Sequence, residues 1–132
     1  MDYDKVCAAS RAMGEDNDCV VMALSMVLDE PYEKMHRILQ AHGRKPKQGA
    51  SWGIICRILR QYGITPQLTI VNKRNSKGGL SKYTAKTIGQ RFPYGVFLMD
   101  YQGSHVAALI HGRVYDWTAG RRHRIAGLVR VS

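Results

Sequence analysis

The chain has 132 residues, of which 45% are hydrophobic and 23% are charged. This composition excludes a disordered chain, and the length is that of one ordinary domain, so we expect a single domain spanning residues 1–132. The formal net charge of +10 favours anionic partners such as nucleic acid or acidic proteins, but it identifies none of them.

Two features of the sequence bear on the cellular compartment. No apolar run approaches the roughly 18 residues of a membrane-spanning helix, and the acidic start, residues 1–4, is unlike the basic front of a signal peptide. The three cysteines, Cys7, Cys19 and Cys56, are odd in number and lack a CxxC spacing. We therefore expect a cytoplasmic protein with reduced thiols, no metal or other cofactor, and no membrane partner.

Basic residues concentrate in three short runs, at residues 44–47, 73–77 and 121–124. Runs of like charge usually lie in solvent, so the ordinary interpretation is a set of solvated loops. The second interpretation is that these loops bind nucleic acid or an acidic protein. The sequence leaves both open.

Apolar patterning predicts helices in the first half of the chain. Residues 19–28 are apolar nearly all round, which is typical of a buried central helix, and Asn17 and Asp18 ahead of them are favourable N-cap residues. Cys19 is therefore expected in the first turn of a buried helix. Two further helices are expected, over residues 31–43 and 51–63.

The second half shows short β-type segments separated by glycine-containing turns. The expected strands cover residues 67–71, 94–100, 104–111, 113–117 and 128–131. A loop is expected over residues 72–81 and a short helix over residues 84–91, ending before Pro93. Helices followed by strands, without β-α-β alternation, predict an α+β fold.

Cys19 is the candidate nucleophile. A cysteine attacks a carbonyl as its thiolate, and a free thiol with a pKa of about 8.5 needs a helix N-terminus or a neighbouring imidazolium to ionise at neutral pH. The predicted position of Cys19 at a helix start supplies the first of these. The segment alone leaves open that Cys19 is a small core residue.

His105 and Asp116 are polar residues in otherwise apolar predicted strands. An unpaired carboxylate in such a strand is costly, so Asp116 needs a partner. If residues 111–112 form a two-residue turn, Asp116 lies opposite Ala107, one diagonal step from His105 and on the same face. A turn one residue later would move Asp116 too far away. We therefore predict the first register and a hydrogen bond between the two side chains.

Three segments carry a resemblance to compact papain-like cysteine peptidases: EDNDCVVMAL at residues 15–24, GSH at residues 103–105 and GRVYD at residues 112–116. The chain looks most similar to small phage-encoded members, and more distantly to peptidase domains that process bacteriocin leaders. The resemblance covers most of the chain. It implies an N-terminal helical lobe whose nucleophile helix packs on a C-terminal antiparallel sheet. It also implies a peptide or protein substrate, in the host cytoplasm if a phage encodes the protein.

The resemblance implies a Cys-His-Asp mechanism in which His105 deprotonates Cys19 and Asp116 orients the imidazolium. The thiolate would form an acyl-enzyme, which water or another amine resolves. The oxyanion would be held by the Cys19 backbone N–H and one side-chain donor. In the papain pattern that donor is a glutamine about six residues before the cysteine, where this chain has Met13. Asn17 is the expected substitute because its amide donates where an ionised Asp cannot, with helix capping as its alternative role.

The remaining histidines and one tryptophan receive lesser roles. His111 is expected as a turn residue and is the minor alternative to His105 as the base. We expect His36, His42 and His123 at the surface. Trp117, next to Asp116, would shield the His-Asp pair from water.

The sequence is compatible with three functions. The first is a cysteine peptidase or isopeptidase. The second is a catalytically degenerate papain-like protein that binds a host protein or nucleic acid through its basic loops, motivated by the charge of +10 and the missing glutamine. The third is acyl transfer or peptidoglycan amide hydrolysis by the same residues, against which the absence of an export signal weighs.

Overall fold

Helices occupy the first half of the chain and an antiparallel sheet the second, in a computed structural model that describes residues 2–72, 83–102 and 104–132. The chain forms two compact units, Met1–Pro66 and Gln67–Ser132. The predicted α+β class is confirmed. No helix within the described ranges is long and apolar enough to cross a membrane.

Four helices of ten residues each form the first unit: α1 (Tyr3–Ala12), α2 (Cys19–Leu28), α3 (Tyr32–Ala41) and α4 (Trp52–Gln61). Helix α2 contacts α1 and α3, and α3 also contacts α1 and α4. The residues of α2 from Val20 to Val27 are buried except Met22, as its apolar composition predicts. The three helices expected from the sequence are therefore present.

Helix α1 was not among the predicted elements. Its sequence is mostly polar or small, and only Val6 and Ser10 are buried, so it lacks the wide apolar stripe by which a helix is found. Its start is nonetheless encoded locally, because the Asp2 side chain accepts a hydrogen bond from the Asp4 backbone N–H at 2.9 Å. Elsewhere in the unit, the Ser51 side chain caps α4, accepting from the Ile54 N–H at 3.3 Å.

The second unit contains a five-stranded antiparallel sheet and a short helix. The strands are β1 (Leu68–Ile70), β2 (Val96–Tyr101), β3 (Val106–Ile110), β4 (Arg113–Tyr115) and β5 (Ile125–Arg130), in the order β1-β5-β2-β3-β4. One face carries a hydrophobic core cluster, which includes Met99, Leu109 and Leu128 together with Ile88 of the helix. All five predicted strands are present, with ends shifted by a few residues.

The helix of this unit, α5 (Ile88–Arg91), is shorter than predicted. The residues before it pair with the chain that leads into β5: the Ala85 N–H donates to the His123 carbonyl, and the Ile125 N–H donates to the Tyr83 carbonyl, both at 2.9 Å. This pairing, with the bridge between Thr84 and Arg124, holds residues 83–85 against the chain ahead of β5, and α5 begins only at Ile88. Residues 73–82, with the basic run at 73–77, lie outside the described residues.

The β3–β4 hairpin has the register that the sequence predicts. Ile110 pairs with Arg113 and Ala108 pairs with Tyr115, the last residue of β4. Asp116 follows in a bend, so the strand is shorter than predicted, and the same register continued by one residue would set Asp116 opposite Ala107. The turn consists of His111 and Gly112, with φ angles of 48° and 80°. Positive φ at both central residues is characteristic of the tight turns that join twisted antiparallel strands. This turn fixes which residues of β3 and β4 share a face.

Candidate active site

His105 and Asp116 are joined by the hydrogen bond predicted from the hairpin. The imidazole Nε2 lies 2.8 Å from Asp116 Oδ2, and the two side chains are 21% and 11% exposed. An ionised carboxylate only accepts hydrogen bonds, so Nε2 carries the proton in this contact. The lone pair of the neutral ring is then on Nδ1, which is the nitrogen able to take a proton from a nucleophile.

Asp116 is itself held in place by Thr118. The Thr118 backbone N–H donates to Asp116 Oδ2 at 3.2 Å, and the Thr118 hydroxyl donates to the same oxygen at 2.7 Å. The Tyr101 hydroxyl hydrogen-bonds to Thr118 Oγ1, and burial raises the pKa of Tyr101 well above its usual range, so the phenol stays protonated and donates. The carboxylate therefore cannot swing away from His105 without breaking a buried network.

The roles of Thr118 and Tyr101 in positioning Asp116 and His105 are not predicted from the sequence. The local signal for Thr118 was its spacing two residues after Asp116, because Asp side chains commonly accept from the backbone N–H two residues on. Tyr101 lies 17 residues away, and no local pattern indicates its contact with Thr118. Its ring also packs edge-on against His105, at 4.9 Å between centroids. The imidazole is thus positioned by packing as well as by its hydrogen bond.

Trp117 lies beside His105, with 5.8 Å between the ring centroids. The indole contacts the imidazole as the shielding hypothesis requires, but the side chain remains 59% exposed. His111, the alternative base, lies in the hairpin turn as predicted. His123 is exposed, as predicted, and packs edge-on against Trp117 at 5.1 Å.

Cys19 is the first residue of α2 and is half-buried, in agreement with its predicted position at a helix start. The first turn of α2 contains no acidic residue, and its N-cap residue Asp18 makes no side-chain capping bond. The partial positive charge of the helix N-terminus is therefore not compensated by a carboxylate within that turn. Such an environment favours the thiolate form of a cysteine.

The Asp18 carboxylate points into the first unit instead of capping α2, which corrects the expectation that it caps the helix. Its Oδ2 accepts from the Ser10 and Tyr32 hydroxyls, both at 2.6 Å. Burial and the Asp18 hydrogen bond raise the pKa of Tyr32 well above its usual range, so this phenol also stays protonated. The residue next to Cys19 thus joins α1, α2 and α3.

A second buried carboxylate, Glu15, organises the loop ahead of Cys19. It accepts from the Arg44 guanidinium at 3.0 and 3.2 Å, from the Lys47 backbone N–H at 2.8 Å, and lies 2.6 Å from His36 Nε2. The Glu15 and Arg44 side chains are only 1% and 2% exposed. The prediction of a surface position for His36 is therefore wrong, and so is the interpretation of Arg44 as part of a solvated run.

Asn17, the expected oxyanion donor, is an exposed residue whose backbone carbonyl accepts from Arg44 Nη2 at 3.3 Å. This contact fixes the backbone two residues before Cys19. Met13, which stands where the papain pattern has glutamine, is the C-cap residue of α1 and is exposed. The Met13 thioether cannot donate a hydrogen bond. The donor role of the Asn17 side chain stays a prediction.

The contacts of Glu15 predict how the free energy of unfolding depends on pH. The Arg44 hydrogen bonds, helped by His36 and the Lys47 N–H and opposed by burial, lower the pKa of Glu15 from 4.5 to about 2. A carboxyl whose pKa is depressed by folding stabilises the native state above its unfolded pKa and ceases to do so as the pH falls through the folded pKa. We expect the free energy of unfolding to fall by about 2 kcal/mol from this group between pH 4.5 and 2, after allowance for screening.

Urea unfolding followed by circular dichroism at several pH values measures this slope. Glu15→Gln is expected to be less stable at pH 7 and to lose the part of the slope that Glu15 contributes. The matched control is Glu33→Gln, which changes an exposed carboxyl on α3 and is expected to follow the wild type. Parallel curves for wild type and Glu15→Gln across this range would contradict the assignment.

No group of three or more His, Cys, Asp and Glu side chains within the described part of the chain is arranged to hold a metal ion. Comparison of the chain with protein-family models, with curated proteins and with solved structures finds no match. The resemblance to papain-like peptidases therefore depends on the three segments that carry it. Function has to be inferred from the chemistry of Cys19 in the first unit and of the His105–Asp116 pair in the second.

Proposed function

We propose that the chain is a papain-like cysteine peptidase or isopeptidase with Cys19, His105 and Asp116 as its catalytic residues. The observation that carries the proposal is the 2.8 Å hydrogen bond between His105 Nε2 and Asp116 Oδ2, with Asp116 held by Thr118. A carboxylate so fixed against one imidazole nitrogen sets the tautomer of the ring and stabilises its protonated form. Both are properties that a general base in acyl transfer needs.

In the proposed reaction, Nδ1 of His105 takes the proton of the Cys19 thiol, and the thiolate attacks the carbonyl carbon of the scissile amide. The negative charge moves to the carbonyl oxygen, which accepts from the Cys19 backbone N–H and the Asn17 amide. When the intermediate collapses, the C–N bond breaks and the leaving amine takes the proton from His105. Water then attacks the thioester, giving its proton to Nδ1, and releases the acid and Cys19.

Two features of the first unit support Cys19 as the nucleophile over Cys7 and Cys56. Cys19 begins a helix, whereas Cys7 and Cys56 lie within α1 and α4. The Asp18 carboxylate hydrogen-bonds to Ser10 and Tyr32 and makes no capping bond to the backbone N–H groups at the start of α2. The resemblance to phage-encoded peptidases makes a peptide or protein of the host cytoplasm the proposed substrate.

The reactivity of Cys19 towards iodoacetamide tests the proposal without a known substrate. At pH 6.5 we expect Cys19 to be alkylated at least about tenfold faster than Cys7 and Cys56, because a thiolate stabilised by an imidazolium persists at a pH where ordinary thiols are protonated. His105→Ala should reduce the Cys19 rate by about tenfold or more. Mass spectrometry of the digested protein gives the rate at each cysteine.

His42→Ala is the matched control, because it removes a partly exposed imidazole from the first unit and should leave all three rates unchanged. Equal alkylation rates at the three cysteines would count against Cys19 as a catalytic nucleophile. A fast Cys19 whose rate is the same in His105→Ala would count against His105 as its base.

A further inference from the structure

The net charge of the protein is concentrated in its second unit. Residues 67–132 contain eleven Lys and Arg against two Asp, whereas residues 1–66 contain nine Lys and Arg against eight Asp and Glu. Of the two carboxylates in the second unit, Asp100 is buried and Asp116 is bonded to His105. Neither is available at the surface, so this unit attracts anionic ligands over a long range.

Two side chains of this unit, Arg121 and His123, contact the exposed Trp117 indole, which lies beside His105. The Arg121 guanidinium carbon lies 5.5 Å from the centroid of the Trp117 ring, and the His123 ring lies 5.1 Å from it. We call Trp117, Arg121 and His123 the Trp117 surface. The exposed indole offers a ligand a large apolar area with a polar N–H at its edge.

Arg121 is the permanently charged group of this surface. It is exposed, as is Arg122, and within the residues that the structure describes neither guanidinium forms an ion pair. Stacking on Trp117 restricts the Arg121 side chain, so less rotational entropy is lost when the planar guanidinium binds a carboxylate. Arg124, by contrast, is partly buried and donates to Asn72 Oδ1 at 3.2 Å.

The distance to His105 limits where a bound anion lies relative to the reacting bond. Trp117 contacts both groups, at 5.8 Å from the imidazole and 5.5 Å from the guanidinium carbon, so these two are at most about 11 Å apart. An extended peptide advances by about 3.3 to 3.6 Å per residue, so this separation corresponds to no more than about three residues.

We propose that the substrate carries an acidic side chain within about three residues of the cleaved bond, and that Arg121 binds its carboxylate on the Trp117 surface. This inference rests on the proposed peptidase function. An acidic peptide fits better than a nucleic acid, because Arg121 already covers a face of Trp117 on which a base would stack. The guanidinium remains as the ligand-binding group, and it pairs with a carboxylate in a bidentate geometry.

Binding to the intact Cys19→Ala protein tests the inference separately from catalysis. The probes are two fluorescein-labelled peptides, Gly-Glu-Glu-Glu-Gly and its neutral counterpart Gly-Gln-Gln-Gln-Gly, followed by fluorescence anisotropy. We expect the Glu peptide to bind at least about tenfold more tightly, and Arg121→Gln to remove about that factor. Arg113→Gln is the matched control: Arg113 also stacks on an aromatic ring, at 5.2 Å from Tyr115, but it lies at the opposite end of the β3–β4 hairpin. It should bind as the parent protein does.

Equal affinities for the Glu and Gln peptides would overturn the inference. So would a short oligothymidylate of equal charge that binds as tightly as the Glu peptide and loses affinity in Arg121→Gln, because the surface would then select polyanions in general. Failure in this assay leaves the iodoacetamide result at Cys19 unaffected. Glu-selective binding combined with an unreactive Cys19 would instead reject the peptidase and keep the acidic-peptide site.

Discussion

Gly89→Ala is expected to lower the free energy of unfolding by about 3 kcal/mol or more. A Cβ atom on Gly89 would lie 1.9 Å from the Gly112 carbonyl oxygen and 2.8 Å from its carbonyl carbon. Both obstructing atoms belong to the backbone of the β3–β4 turn, so no side chain can rotate to make room. The substitution has to push α5 away from the turn or deform the turn itself.

Gly53→Ala is the matched control, because Gly53 also lies in a helix, α4, and a Cβ there meets only Ser51 Oγ at 3.6 Å. That variant should be more stable than the wild type by about 0.5 to 1 kcal/mol, since Ala has the higher helix propensity. Urea unfolding monitored by circular dichroism measures both. A Gly89→Ala protein within about 1 kcal/mol of wild type would show that α5 and the turn do not pack this closely.

Asp18→Ala is expected to destabilise the protein by about 2 to 4 kcal/mol. The substitution removes the acceptor of the Ser10 and Tyr32 hydroxyls, and it leaves both donors buried without that partner. Residue 18, which precedes Cys19, is then no longer bonded to α1 and α3. We therefore expect the alkylation rate of Cys19 to fall towards that of Cys7. Equilibrium unfolding gives the first effect and mass spectrometry the second.

Asp18→Asn separates the hydrogen bonds from the charge. An amide oxygen still accepts from both hydroxyls, so this variant should retain more stability than Asp18→Ala. Asp16→Ala removes a neighbouring carboxylate that is exposed, and it should change stability by less than about 0.5 kcal/mol. Equal losses for Asp16→Ala and Asp18→Ala would mean that the buried hydrogen bonds of Asp18 contribute nothing measurable.

The parts of the site that could be predicted from sequence are those set by local chemistry. The turn at His111 and Gly112 follows from short-range turn geometry. Continued strand alternation then predicts that His105 and Asp116 face the same side, and their hydrogen bond agrees with this. Cys19 was located by the change from polar to apolar residues at the start of α2. Each inference needed only a few neighbouring residues.

The parts that could not be predicted depend on residues far apart in the chain. Glu15 meets His36 and Arg44 across 21 and 29 positions, and nothing in the segments around them indicates these partners. The basic run around Arg44 predicts a solvated side chain, whereas the Glu15 carboxylate binds its guanidinium in a buried position. The same holds for Asp18, whose local context indicated a helix cap while Ser10 and Tyr32 supplied stronger partners.

The claim that Cys19, His105 and Asp116 act as one catalytic group is tested most directly by cross-linking with 1,3-dibromoacetone. This small reagent has two electrophilic carbons, so it joins a cysteine sulfur to an imidazole nitrogen only when the two lie within its short reach. We expect one product in the digested wild-type protein, a bridge between the peptides containing Cys19 and His105, and its loss in His105→Ala. Alkylation of Cys19 without a bridge to His105, or a bridge to another histidine, would contradict the claim.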